Sequence, residues 1–345
     1  MNNSGQIGNT FRSAALPLYF IPYKRLRKHN GGDTWAREHM WLLLLVAWPA
    51  LGLIFGDAGS EHAGRLTSLI LVDFLILEAI LAAWRKYDQA ADALDLAMSD
   101  HGDVAEELAK YLKTIMAPIR QGVFCVFVAI AFCLAVFAPR QPLATQSVLA
   151  YLTCISTGLI VGQALYLNIS TLLLARRVRD LQVLPVNSIR PRQSLGIAEL
   201  SRAVQVHAKA GLVLVAAVMV PVTIGYLKSK SNHELEILLA MASLGPVSVV
   251  AIGFTAQMWV YEPARRKRDS ALQEIAGKIE TDFDRLVSWD PNATVSDLLP
   301  SRLQLLRTIE EDDVSIYGRG TVLQYFLIAL PILAQVAIAL IKLNH

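Results

Sequence analysis

Two carboxylic acids, Asp73 and Glu78, stand inside one long apolar run, residues 66–84. An ionised carboxylate at the centre of a bilayer costs at least about 2.5 kcal/mol, so an acid kept there either works or is neutral and hydrogen-bonded. The chemistry open to it is proton binding or the coordination of a small cation. Asp73 lies deeper in the run, whereas Glu78 is close enough to its end to reach water or Arg85. Five residues apart on a helix, the two point about 140° away from each other and cannot act as one carboxylate pair. The apolar runs hold no Lys or Arg to neutralise Asp73. The alternatives are therefore a site facing the bundle interior and a protonated acid bonded to a neighbouring helix.

A second polar group occupies the apolar run 147–175: Thr153, Ser156, Thr157, Gln163 and Asn168, with Gly158 and Gly162 four residues apart. Small residues at that spacing let two helices approach closely while hydroxyls and amides bond across, so packing is the favoured reading over a polar solute path. Reaction chemistry is otherwise missing. The sequence has no Gly-rich phosphate loop ending in Lys-Ser or Lys-Thr, no His-Glu-x-x-His, no Cys pair at metal spacing and no Gly-x-Ser-x-Gly elbow. Cys125, Cys133 and Cys154 lie in apolar runs and read as small hydrophobes. His101, between Asp100 and Asp103, reads as part of a hinge, and Gly318-Arg319-Gly320 as a turn before a helix. Asn292-Ala293-Thr294 matches a glycosylation sequon but falls in a segment expected inside the cell. No catalytic residue, metal site or cofactor is assigned, and the chain is not expected to be an enzyme.

The elements that must position Asp73 follow from composition. With 54% hydrophobic and 18% charged residues and a mean hydropathy of +0.42, the chain is too apolar for a soluble domain of 345 residues. Seven apolar runs recur, at 40–56, 66–84, 123–138, 147–175, 211–227, 237–260 and 321–341. Each is near the 17 to 25 residues that a helix needs to cross about 30 Å of hydrocarbon, and only helices satisfy their own backbone there. The expected fold is all-α: a polytopic membrane bundle of about seven transmembrane helices. The runs 40–56, which contains Pro49, and 123–138 are short, so six or eight crossings are the neighbouring counts. Pro221, Pro246 and Pro331 sit in the last three runs, where each removes a helix hydrogen bond.

Orientation follows from basic clusters. Lys24, Arg25, Arg27 and Lys28 precede the first run, Arg85 and Lys86 follow the second, Arg176, Arg177 and Arg179 follow the fourth, and Arg265 to Arg268 follow the sixth. Such ends are expected in the cytoplasm, which with seven crossings puts the amino terminus inside and the carboxy terminus outside. The net charge of +3 is small, and its basic residues flank apolar runs, which fits lipid headgroups and argues against nucleic acid. The polar amino-terminal residues give no signal-peptide pattern, and residues 1–39 are read as a cytoplasmic segment. Within it, the apolar stretch 14–23 is too short to cross and is expected to lie at the interface. The rest, 40–345, forms one membrane domain with cytoplasmic helical segments 85–121, 176–210 and 261–320. In the last of these, Leu272, Ile275, Ile279 and Phe283 make a near-heptad stripe, read first as packing within the chain and second as a face for a protein partner or another copy.

Two functions from different classes remain. One is channel- or transporter-like passage of a small ion or solute past Asp73; the other is a membrane-anchored scaffold or regulatory component whose cytoplasmic helices bind a partner. The expected location is the cell membrane, taken as a bacterial inner membrane.

Overall fold

The computed structural model describes residues 60–97, 102–137, 148–181, 194–229, 232–287 and 299–311, together with Leu330, Ala334, Ala337 and Ile341. The expected interfacial stretch 14–23, the first run 40–56, most of 321–341, His101, the sequon and Gly318 to Gly320 lie outside them. Among the described residues the structure is helical and has no strand. The helices are α1 (Ser60–Ala97), α2 (Gly102–Ile115), α3 (Pro118–Phe137), α4 (Val148–Leu181), α5 (Leu195–Ser229), α6 (Asn232–Val287) and α7 (Leu299–Glu311).

Four stretches among the described residues are long and apolar enough to cross a membrane: Glu106–Leu134, Tyr151–Asp180, Gly196–Met219 and Leu244–Asp284. What their outer faces carry fits that solvent. On α3, Ile119, Val123, Phe127, Ile130 and Leu134 are all exposed, at a spacing that keeps them on one side of the helix. On α6, Leu244, Val247, Val250, Phe254 and Met258 do the same, and on α1 Leu71, Phe74 and Leu75. Apolar faces of this extent are out of place in water and in place against lipid. The expected seven crossings compare with these four.

The side-chain contacts give the helices their directions. Asp73 on α1 meets Thr157 on α4, while the cavity lined by Ile76, Ile80 and Ala83 also takes in Ala164 and Asn168, so α1 and α4 run parallel. Gly158 lies against Ala129 and Gly162 against Cys125, so α3 runs against α4. Gly211 lies against Val249, and Ser201 bonds Gln257, so α5 and α6 are antiparallel. α2 and α3 continue in one direction against α4, and the directions otherwise reverse between neighbours in the chain, as short connections between successive crossings require.

Two boundaries differ from the sequence expectation. The fifth apolar stretch begins at Gly196, not at residue 211, and its buried stripe of Ile197, Leu200, Val204, Ala208 and Leu212 runs straight through the segment read as cytoplasmic. Glu199, Arg202, His207 and Lys209 had made that segment look polar, but Arg202 points outward to Glu199 on the same helix. Second, the helices do not stop where the apolar runs stop. α1 has 38 residues, α4 has 34 and α6 has 56, or about 57, 51 and 84 Å of rod against about 30 Å of hydrocarbon. α6 continues through Pro263 and the basic run after it, because a single proline removes one backbone bond and its neighbours hold the helix together.

The rods project from one end of the bundle. There Arg177 pairs with Glu107 of α2 and lies over the Tyr111 ring, with 5.4 Å from guanidinium to centroid. Arg179 lies over Trp259 of α6 at 5.1 Å. Between them, Leu108 and Leu112 of α2, Leu174 and Val178 of α4, and Leu200 of α5 continue the same core that begins at Val72. α7 turns back along the distal part of α6. Arg302 pairs with Asp282, and Arg268 Nε donates to the Ile309 carbonyl at 3.2 Å, an antiparallel hairpin that buries Ile279 and Ile309.

Candidate functional site

Asp73 is completely buried, between α1 and α4. The apolar stripe of α1, Val72, Ile76, Leu77 and Ile80, is drawn inward by the same helical spacing that carries Asp73 with it, while Leu71, Phe74 and Leu75 face out. On α4, Thr153 and Thr157 are one turn apart, and Ser156 lies between them on the same side. Thr157 Oγ1 donates to Asp73 Oδ2 at 3.2 Å. Among the described residues Asp73 Oδ1, Thr153 Oγ1 and Ser156 Oγ are buried without a hydrogen-bond partner. Asp73 thus takes its bond from a helix that carries two further unbonded hydroxyls, and among the described residues no basic side chain is paired to it. Such an arrangement can hold a proton on the carboxyl, or gather oxygen atoms around a small cation.

Glu78, the other acid of the run, is half-buried on a different face of α1, so the two carboxylates are not brought together. Gln163, the third polar candidate, is completely buried and belongs to a separate network. Its Nε2 donates to Gln121 Oε1 at 3.1 Å, Gln121 Nε2 donates to the Met116 carbonyl at 2.7 Å, and Cys125 Sγ lies 3.6 Å from Gln163 Oε1. Tyr166, whose hydroxyl donates to the Ile115 carbonyl, ties α4 to the same junction between α2 and α3. These bonds close the orphaned carbonyls at the end of α2, a structural task.

Gly158 and Gly162 are where α3 and α4 touch backbone to backbone. A Cβ on Gly158 would lie 2.6 Å from Ala129 Cα, and one on Gly162 would lie 2.9 Å from Cys125 Cα. No side chain fits at either position without moving a helix. A further buried pair, Ser201 and Gln257, exchanges two bonds, Ser201 Oγ to Gln257 Oε1 at 2.9 Å and Gln257 Nε2 to the Ser201 carbonyl at 2.7 Å, and so fixes α5 against α6.

Of the stripe expected in the cytoplasm, Ile279 is buried, Leu272 and Ile275 are half-buried, and Phe283 is 49% exposed. The structure therefore covers part of the stripe within the chain and leaves its far end open. Sequence reasoning had passed over Gln121, Ser201, His207 and Gln257. Each sits within or beside an apolar stretch, and a search for isolated polar residues carried past the edges of the runs would have found them. Among the described residues no group of three His, Cys, Asp or Glu side chains is arranged to hold a metal ion. No protein family, curated protein or solved structure matches this chain.

Proposed function

We propose that this protein is a polytopic membrane protein of the channel or transporter class, in which a proton or small cation binds at Asp73. The observation that carries the reading is the half-satisfied carboxyl. Asp73 has no exposed surface, takes one bond from Thr157, and keeps Oδ1 without a partner among the described residues. A purely structural acid would have both oxygens bonded, because each unpaired buried polar atom costs about 1–3 kcal/mol. In this reading α1 is itself a crossing, the basic ends of α1, α4 and α6 face the cytoplasm, and the rods beyond them form a cytoplasmic helical body. The test is ion flux into sealed vesicles carrying the purified protein. Asp73→Asn keeps the shape and the bond from Thr157 but can take up neither a proton nor a cation charge, so flux should vanish while the thermal unfolding midpoint in detergent stays. Undiminished flux in Asp73→Asn ends the reading.

A second reading is favoured by a different observation. Phe283 and Leu303, one on each limb of the α6–α7 hairpin, are 49% and 41% exposed on the far side of the basic run Arg265 to Arg268. In a membrane-anchored scaffold this end of the hairpin docks a protein, and Asp73 is dispensable. Phe283→Glu together with Leu303→Glu should then release a co-purifying protein, and an unchanged co-purification profile counts against the scaffold.

A further inference from the structure

Along α1 from Asp73, toward the end of the bundle that bears Arg85 and Arg177, α1, α4 and α5 enclose a cavity of about 10 Å³, room for one water. Its walls are Ile76, Ile80, Leu167 and alanines, apart from two polar side chains, Asn168 and His207. His207 is 5% exposed. Its Nδ1 lies 2.8 Å from the Ala203 carbonyl oxygen, and a ring nitrogen facing a carbonyl must carry the hydrogen. The neutral ring is thus the Nδ1–H tautomer, which leaves the Nε2 lone pair as the acceptor of a side chain that lines the cavity. Asn168 Nδ2 donates to the Ala164 carbonyl at 2.9 Å, which leaves its Oδ1 as an acceptor. Two acceptors and the second hydrogen of the Asn168 amide line this small space, a set that a water or a hydrated proton can satisfy.

The charges around it are few. The walls from α1 and α4 carry none, and α6, packed on the far side of α5, has no charged residue from Leu244 to Val260. The nearest titratable groups along each element are Asp73, Glu78 and Arg85 on α1, Tyr166 on α4 and Lys209 on α5. Asp73 shares the inward face of α1 with Ile76 and Ile80, so the cavity centre is about 10 Å along the helix from the carboxyl.

We propose that His207 is a second proton-binding station in line with Asp73, and that the species handled by the bundle is the proton. The proposal rests on the Asp73 reading above. In the step at His207, an O–H bond of a hydrated proton breaks and its electron pair stays on the water oxygen. An Nε2–H bond forms, and the imidazolium is held by Ala203 through Nδ1 and faces Asn168 Oδ1. Because Nδ1 is committed to its own helix, the proton enters and leaves through Nε2.

Histidine 15N spectra of the full chain in lipid bilayers test this without any transport assay, with the His207 signal assigned by its loss in His207→Gln. The expected result is a neutral Nδ1–H ring that becomes an imidazolium as pH falls from about 8 to about 4. A ring that stays neutral throughout that range, or one carrying its hydrogen on Nε2, overturns the proposal. In vesicles with an entrapped pH dye, His207→Gln should lower proton flux about a hundredfold and flatten its pH profile. Asn168→Leu, which keeps the imidazole, should lower it less. If Asp73→Asn abolishes flux of a metal cation while His207→Gln leaves flux intact, this inference falls and the Asp73 site stands. If Asp73→Asn leaves flux unchanged, both fall.

Discussion

Substituting alanine for Gly158 adds one methyl group at the closest approach of α3 and α4, and its consequence can be worked from distances. The new Cβ would lie 2.6 Å from Ala129 Cα, 3.1 Å from Ala129 Cβ and 3.3 Å from Phe132 Cβ. Carbon atoms rest about 3.5–4.0 Å apart, so α3 must retreat by roughly 1 Å, because its Cα cannot rotate out of the way. Overpacking of this kind costs about 1–3 kcal/mol, against which alanine recovers up to about 1 kcal/mol of helix propensity. The net expectation is a loss of about 1–2 kcal/mol. A retreat of that size also stretches the 3.1 Å bond from Gln163 to Gln121, one turn further along the same seam, past useful length. Gly122→Ala is the control, since a Cβ there meets nothing within 4 Å, and it should be neutral or stabilising. Adding Gly162→Ala to Gly158→Ala should cost less than the sum of the two, because one retreat serves both contacts. Adding Ala129→Gly should rescue only part, since it removes the 3.1 Å contact and leaves the 2.6 Å one. The assay is equilibrium unfolding in mixed micelles, with denaturing detergent as the titrant. The reasoning fails if Gly158→Ala is as stable as Gly122→Ala.

Gln163→Leu should destabilise by about 1–3 kcal/mol, because it removes the bond between two fully buried amides, whereas Gln121→Leu with Gln163→Leu should recover part of that loss in the same unfolding titration. Arg302→Ala should free α7 from α6 by leaving Asp282, whose side chain is 13% exposed, without its cation. Limited proteolysis should then cut near α7 many times faster, and exchanging the two charges should restore protection.

Helical character, the acid at Asp73 and the small-residue seam were all legible in the sequence, because apolar periodicity and rare polar residues are local signals. Residues 158 and 162 could be read as a contact from their spacing alone, but the partners Ala129 and Cys125 could not, since nothing in a sequence states which helix arrives there. The reach of α5 ahead of residue 211 was hard to see for a related reason. Glu199, Arg202, His207 and Lys209 lower the average polarity contrast of residues 196–210, yet they alternate with Ile197, Leu200, Ala203, Val204 and Ala208, which are buried. A window average erases that stripe, whereas helical phase retains it. Gln121 and Gln163 were visible as residues but not as a pair, because the bond between them spans two helices. The continuity of α6 through Pro263 was not legible, because the apolar run 237–260 and the stripe from Leu272 to Phe283 are separate signals and nothing in the sequence states that one helix joins them.

Continuity of the rods joins the two halves of the molecule in a way that bears on both proposed roles. Between Trp84 and Ala97 the sequence of α1 has no Gly or Pro, and neither has α4 from Ile169 to Leu181, so nothing breaks either helix after its apolar stretch. The inward stripe of α1 that carries Asp73 is therefore continuous with Ala90 and Ala93, buried in the distal body. A helix cannot rotate at Asp73 without rotating there as well, because every intervening residue is locked in the same hydrogen-bonded ladder. Any repacking of α1 against Thr157 on proton or cation binding is thus felt where α2, α4 and α5 pack together at the end of the bundle that bears Arg177. If ion flux and partner release both respond to Asp73→Asn, the transport and scaffold readings describe two ends of one rod. If only one responds, the buried stripe between them is packing and carries no signal.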